Sequence, residues 1–287
     1  MGVFTVEQPR SVLGPLIITS TLPRSGTTLL QRLITNSSNG ICFGENLAGR
    51  FFALADLVHE AVYSVDTELS NISKEWEQIR AGKTDFWMPR LDLPDDHSKN
   101  ALLLTLNTYS QYHATVAAEL GRPVWGMKLP GQKIDAVARI SKYVPNSKCI
   151  LIYRNIYDVI KSYKGREALN GEVDLKEICQ KWVSNSEIVV RALKQDDFQV
   201  QNLLILKYEE FVDDYEKGVA SLKEFTGLED IDMSVTERKL NSWYKTKHMV
   251  HVYQEPVELT HAEKSVIENV CSKTMAVLYP EAETPAS

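Results

Sequence analysis

Along this chain, short uncharged apolar runs alternate with longer stretches in which apolar positions recur every three or four residues. Leu16-Ile17-Ile18, Val124-Trp125-Gly126-Met127, Cys149-Ile150-Leu151-Ile152 and Leu203-Leu204-Ile205-Leu206 are the runs. Segments this short, rich in β-branched residues and closed by turn residues, predict strands buried on both faces. They place strands at residues 15–20, 124–128, 148–153 and 202–206, with a short one at 40–44. Between them the period changes to that of a helix over residues 27–35, 132–143 and 175–193, and Phe51, Leu54, Ala55 and Val58 mark another from 46 to about 65. Helices are also expected at 73–81 and 101–120, divided by a loop at 87–96 that carries Pro89 and Pro94 beside Trp87. Strands alternating with helices imply βαβ units, hence an α/β fold with a central, mostly parallel sheet, helices on both faces and a helical insertion between the second and third strands.

Leu22-Pro23-Arg24-Ser25-Gly26-Thr27-Thr28 follows the first strand and opens the first helix. A loop that enters a helix there aims unpaired N–H groups and the positive end of the helix dipole at whatever lies in front. Gly26 permits close approach of an anion, Arg24 adds a fixed positive fork, and Ser25, Thr27 and Thr28 add hydroxyl donors. The domain is therefore P-loop-like in its layout. A nucleotide-hydrolysing P-loop, however, has a lysine after its second glycine and another glycine five residues upstream; here those positions hold Thr27 and Thr21.

A second charged turn closes the strand at 148–153. Arg154 sits at the strand's carboxyl end, where open α/β sheets bind ligands, and Asn155 is placed to cap the next helix with Asp158 in its first turn. Ser162 lies about two turns along that helix.

Both stretches resemble motifs of the sulfotransferase family that uses 3′-phosphoadenosine 5′-phosphosulfate (PAPS) as donor. Arg24 to Thr28 is similar to its 5′-phosphosulfate loop, P-[KR]-S-G-T-T, and Arg154 to Ser162 matches its 3′-phosphate site, R-N-x-x-D-V-x-x-S, at every defined position. The resemblance spans roughly residues 15–280 and implies a three-layer α/β/α fold, PAPS as co-substrate with 3′-phosphoadenosine 5′-phosphate (PAP) as product, and no metal. It implies donor contacts from Arg24, Ser25, Gly26, Thr27, Thr28, Arg154 and Ser162. Tyr208, in Tyr208-Glu209-Glu210-Phe211, resembles the family's Y-E-[DE]-[LF] and implies a place near the adenosine.

Transfer of a sulfuryl group needs a base for the acceptor proton and positive charge at the leaving oxygen. Cytosolic members of the family carry that base as a histidine in K-T-H-L-P. This chain has Lys128-Leu129-Pro130 and keeps only the lysine and the proline. Gly44-Glu45-Asn46 resembles instead the G-E context of the branch that holds the tyrosyl-protein enzymes and many bacterial ones. The resemblance makes Glu45 the base and gives Lys128 and Arg24 the leaving phosphate side. His97 and His113 are rival bases, and a carboxylate favoured by the helix dipole is the plainer account of Glu45. The family's R-K-G is missing near the C-terminus, where residues 243–248 are only a candidate substitute.

Composition narrows the partners. A net charge of −6 disfavours a nucleic-acid or acidic-membrane binder and leaves no long basic groove, so a small-molecule acceptor is expected, bound among helices at 46–121. Cys42, Cys149, Cys179 and Cys271 have no paired spacing and read as reduced and buried, and no His/Cys cluster has metal-ligand spacing. No apolar stretch is long enough for a membrane span, so a cytoplasmic protein is expected. The 287 residues suit one domain, with 281–287 as a disordered tail. A kinase-like phosphotransferase on a variant P-loop and a non-catalytic nucleotide-binding adaptor are the open alternatives; the first leaves Arg154 and Ser162 unexplained, and the second predicts binding without turnover.

Overall fold

The computed structural model describes residues 14–88, 91–93, 97–165, 172–194, 202–237, 242–244, 251–253 and 255–280. The tail at 281–287, much of the proline-punctuated loop and residues 245–248 lie outside the described residues.

Five strands, β1 (Leu16–Ser20), β2 (Gly40–Phe43), β3 (Val124–Lys128), β4 (Lys148–Tyr153) and β5 (Leu203–Lys207), form one sheet in the order β2-β3-β1-β4-β5. Every pair is parallel. In the centre, Leu16 pairs with Gly126 on one side and Lys148 on the other. All five residues of β1 and of β3 are buried, which is why these strands read as unbroken apolar runs rather than as alternating ones. Each fully buried aliphatic side chain among them contributes about 1.5–3 kcal/mol.

Successive side chains of a strand serve opposite faces. Leu16 and Ile18 pack with Leu30, Leu33 and Ile34 of α1 (Thr27–Thr35) and with Leu222 of α8 (Tyr215–Thr226). On the other face, Ile17, Trp125 and Met127 meet Phe51, Ala55 and Val58 of α2 (Glu45–Arg80), Leu106 and Ala114 of α3 (His97–Glu119) and Val137 and Ile140 of α4 (Ile134–Tyr143). Leu151 and Tyr153 pack with α5 (Ile156–Lys164), α6 (Glu172–Leu193) and α9 (His261–Leu278), through Val159, Trp182 and Ile267. The expected α/β/α layering is thus present, with α2 and α3 as the helical insertion between β2 and β3.

The sequence pattern predicts two helices at 46–65 and 73–81, whereas α2 is a single helix of 36 residues. Val62, Val65, Leu69, Ile72, Trp76 and Ile79 carry the helical spacing through the polar residues between the two segments, and Asp66 to Ser73 holds no glycine or proline to break the backbone hydrogen bonds. The short helix α7 (Tyr208–Asp213), the hairpin of β6 (Ser242–Tyr244) with β7 (His251–Tyr253), and α9 complete the described elements with a 3₁₀ turn at Met233–Glu237. A capping box starts α9, with Thr260 Oγ1 accepting from Glu263 N.

Candidate active site

Because all five strands are parallel, their carboxyl ends lie along one edge of the sheet, and each hands its chain to a residue singled out by the sequence. The loop after β1 is shaped first by Ser20, whose Oγ donates to Leu22 O at 2.6 Å. Arg24 and Gly26 then take left-handed backbone angles, φ 77° and 105°. Glycine is required at the second: a Cβ there would lie 2.5 Å from Tyr208 Cδ2. α1 starts at once, with no acidic residue in its first turn to offset the dipole, so the positive end stays open to an anion. Ser25 is fully buried, and its Oγ has no hydrogen-bond partner among the described residues.

The loop after β4 meets the first one. Arg154 Nη1 donates to Arg24 O at 3.2 Å, and Arg24 Nε donates to Ser162 Oγ at 3.1 Å. Two motifs 130 positions apart in sequence are therefore interlocked. Asn155 caps α5 as the sequence predicts, its side chain accepting from Tyr157 N at 3.0 Å. The Arg154 guanidinium lies 4.3 Å over the ring of Tyr208, the same ring that fills the space in front of Gly26. Arg154 Nε is buried and has no partner among the described residues. An anionic nucleotide fits this arrangement: the buried donors of Ser25 and Arg154 and the glycine cradle all face chemistry that a phosphate oxygen satisfies.

Lys128 ends β3 and is buried at 7% exposure. Its Nζ lies 3.1 Å from Glu45 Oε1 and donates to Thr28 Oγ1 at 3.4 Å. Glu45 is the first residue of α2, after an extended Gly44. Its side chain is 55% exposed, so the carboxylate is open on one side and held by the lysine on the other. Cys42, below this pair, has its thiol pushed up to about 12 by burial, with the Lys128 charge pulling the other way.

The rival bases are set apart differently. His97 is exposed at the start of α3. His113 shares a 2.8 Å hydrogen bond between Nδ1 and Tyr109 O and stacks 6.1 Å from Trp125, with Phe43, Tyr109 and Tyr112 around it. Of the candidate substitute for R-K-G, Trp243 and Tyr244 fall in β6.

Sequence reasoning missed a supporting layer. Glu209 Oε1 accepts from Asn155 N at 2.9 Å while its Oε2 accepts from Tyr279 O–H at 3.0 Å. Trp182 Nε1 donates to Arg154 O at 3.1 Å. Asn185 Nδ2 donates to Thr21 O at 2.8 Å and to Gly131 O at 3.2 Å. Only Glu209 stood inside a motif; the others are marked by no local pattern.

A five-stranded parallel sheet with an anion-ready first loop and a basic turn after β4 defines an α/β protein whose polar groups converge at one sheet edge. The model of the sulfotransferase family matches residues 15–232, and the chain belongs to that family of enzymes. Among solved structures, the sulfotransferase domain from the curacin biosynthetic pathway is 15% identical, with TM-score 0.50 over 92% of this chain and 98% of that one. Sulfotransferase STF9 from Mycobacterium avium is 14% identical, with TM-score 0.43 over 92% and 76%. No curated protein sequence matches the chain. Among the described residues no helix is long and apolar enough to cross a membrane.

Proposed function

We propose that this sulfotransferase takes the sulfuryl group from PAPS and gives it to a hydroxyl or amine of a small-molecule acceptor by in-line displacement. The observation that carries this reading is the contact of Arg154 and Ser162 with Arg24, because a donor phosphorylated at both its 3′ and 5′ positions needs the two motifs in one site.

In this reading Ser25, Gly26, Thr27 and Thr28 hold the 5′-phosphosulfate, Arg154 and Ser162 hold the 3′-phosphate, and Tyr208 packs beside the adenosine. Glu45 accepts the acceptor's proton as the acceptor oxygen or nitrogen bonds to sulfur. The bond from sulfur to the bridging oxygen breaks, and its electron pair stays on the phosphate of the departing PAP. Lys128 and Arg24 meet the charge that grows there. The reading assigns charge stabilisation to these side chains and not to a metal. The Glu45–Lys128 pair supports these roles: once Lys128 turns to the leaving oxygen, the carboxylate is released to take a proton.

The chain is read as one transferase domain, with the acceptor bound against helices at 46–121. Glu45 at the head of that region is what joins the two halves of the site. The test is incubation with PAPS labelled in its sulfuryl group and a panel of phenols, aliphatic alcohols and amines. Label must pass to an acceptor with the wild type and not with Glu45→Gln; equal transfer by both would refute the assignment, and binding without any transfer would favour an adaptor.

A further inference from the structure

We propose that Asn185 and Trp182, one helical turn apart on α6, are positioning residues that fix the spacing of the three loops forming the donor site. Neither residue belongs to a motif, and their hydrogen bonds to the site run to backbone carbonyls. Asn185 is buried at 6% exposure, and both hydrogens of its amide are used: one on Thr21 O, at the entry to the loop carrying Arg24 to Thr28, and one on Gly131 O, in the turn after Lys128. Trp182 is fully buried and holds Arg154 O.

The three carbonyls belong to loops after β1, β3 and β4, where the sheet ladder gives way to single backbone bonds such as Leu129 N to Ile18 O and Thr21 N to Ile152 O. Gly131 N donates to Ser20 O at 3.1 Å, and Gly131 packs against Pro23, with φ 74°. Asn185 closes this contact from beneath. Asn185 thus adds a side-chain tie, from a helix outside the motifs, to the backbone bonds and the Thr19–Gln132 pair that hold Lys128 Nζ within reach of Thr28 Oγ1. Misplacement by about 1 Å of groups that must meet one leaving oxygen lowers a rate by as much as about a hundredfold. A residue that fixes such spacing acts on kcat through Lys128. The kinetic half of this inference rests on the sulfuryl-transfer reading; the coupling of the loops does not.

Hydrogen–deuterium exchange on the free protein tests the coupling without nucleotide. Asn185→Ala is expected to speed amide exchange about tenfold or more in both 21–28 and 128–133, while 40–43 and 203–207 exchange as in the wild type. Trp182→Phe keeps an aromatic ring in the core and is expected to loosen 154–158 alone. Hydrolysis of PAPS, in which water takes the sulfuryl group as sulfate and no organic acceptor is needed, tests the kinetic half: Asn185→Ala lowers kcat about tenfold to a hundredfold with KM for PAPS moved by less than about threefold. The same substitution then has no further effect on kcat beside Lys128→Ala.

Wild-type exchange in either loop of Asn185→Ala, or in 154–158 of Trp182→Phe, would overturn the inference. An equal fold-loss of kcat with and without Lys128 would overturn the positioning role. Loosened loops in a protein whose wild type ignores PAPS would support the clamp and refute the donor reading instead.

Discussion

Lys128 Nζ stands 3.1 Å from Glu45 Oε1, the lysine buried and the carboxylate half exposed. The two residues come from opposite sides of the helical insertion, one at the head of α2 and one at the end of β3, and they meet because β2 and β3 are paired neighbours. Phe43 is in register with Met127, so the residues just past each strand end are brought side by side. Such a pair holds the carboxylate oriented until another negative centre competes for the lysine.

Glu45→Gln keeps the shape of the side chain and removes the proposed base. Transfer in a single turnover should fall about 10²- to 10⁴-fold, while PAP affinity by calorimetry stays within about twofold. A loss smaller than about tenfold would hand proton removal to another group, with His113 the first to examine.

Lys128→Ala removes charge from the leaving side and frees Glu45. We expect kcat to fall about 10²- to 10³-fold. Lys128→Arg is expected to recover little, because Thr28 and Glu45 leave room for a compact ammonium rather than a planar fork. Full activity in the arginine variant would contradict this geometry.

Gly26→Ala tests the loop itself. At φ 105° an alanine is strained, and its Cβ would be forced against Tyr208 Cδ2 at 2.5 Å. Destabilisation of more than about 1 kcal/mol in urea unfolding is expected, with loss of PAP binding. Because Tyr208 would have to move, Tyr208→Ala should restore part of the stability but not the binding.

Alkaline pH should unfold the sheet through Tyr153. Burial pushes its hydroxyl up to about 12, with Glu210 and Glu209 adding to the shift. The unfolded chain ionises near 10, so above that pH it has lost a proton that the folded chain still holds. The contribution is complete below about pH 10 and is lost as pH rises toward 12. Tyr153→Phe should flatten the fall in denaturation midpoint across that window; an unchanged slope would assign it to other tyrosines.

Much of this was legible because the signals are local. α1 runs over Thr27–Thr35 and β3 over Val124–Lys128, the bounds that the apolar pattern predicts, and Asn155 caps α5 as its position implies. Arg24, Arg154 and Ser162 were marked by motif, and their contacts follow from two loops at one sheet edge. What stayed hidden acts at long range. Asn185 reaches Thr21 across 164 positions, and Tyr279 reaches Glu209 across 70. An asparagine inside a helix carries no sign of which carbonyls it satisfies. The continuity of α2 was masked for a different reason: polar residues crowd 66–73, but Val65, Leu69, Ile72 and Trp76 keep the helical spacing among them and no glycine or proline interrupts the backbone hydrogen bonds there.

The most direct test is calorimetric titration of the wild type and Arg154→Ala with PAP, and with ATP and magnesium alongside. Micromolar binding of PAP is expected, weakened at least about tenfold in the variant as loss of charge-assisted hydrogen bonds to a phosphate requires, with no ATP binding. Binding of ATP with magnesium that is indifferent to Arg154, with PAP silent, would contradict the donor reading.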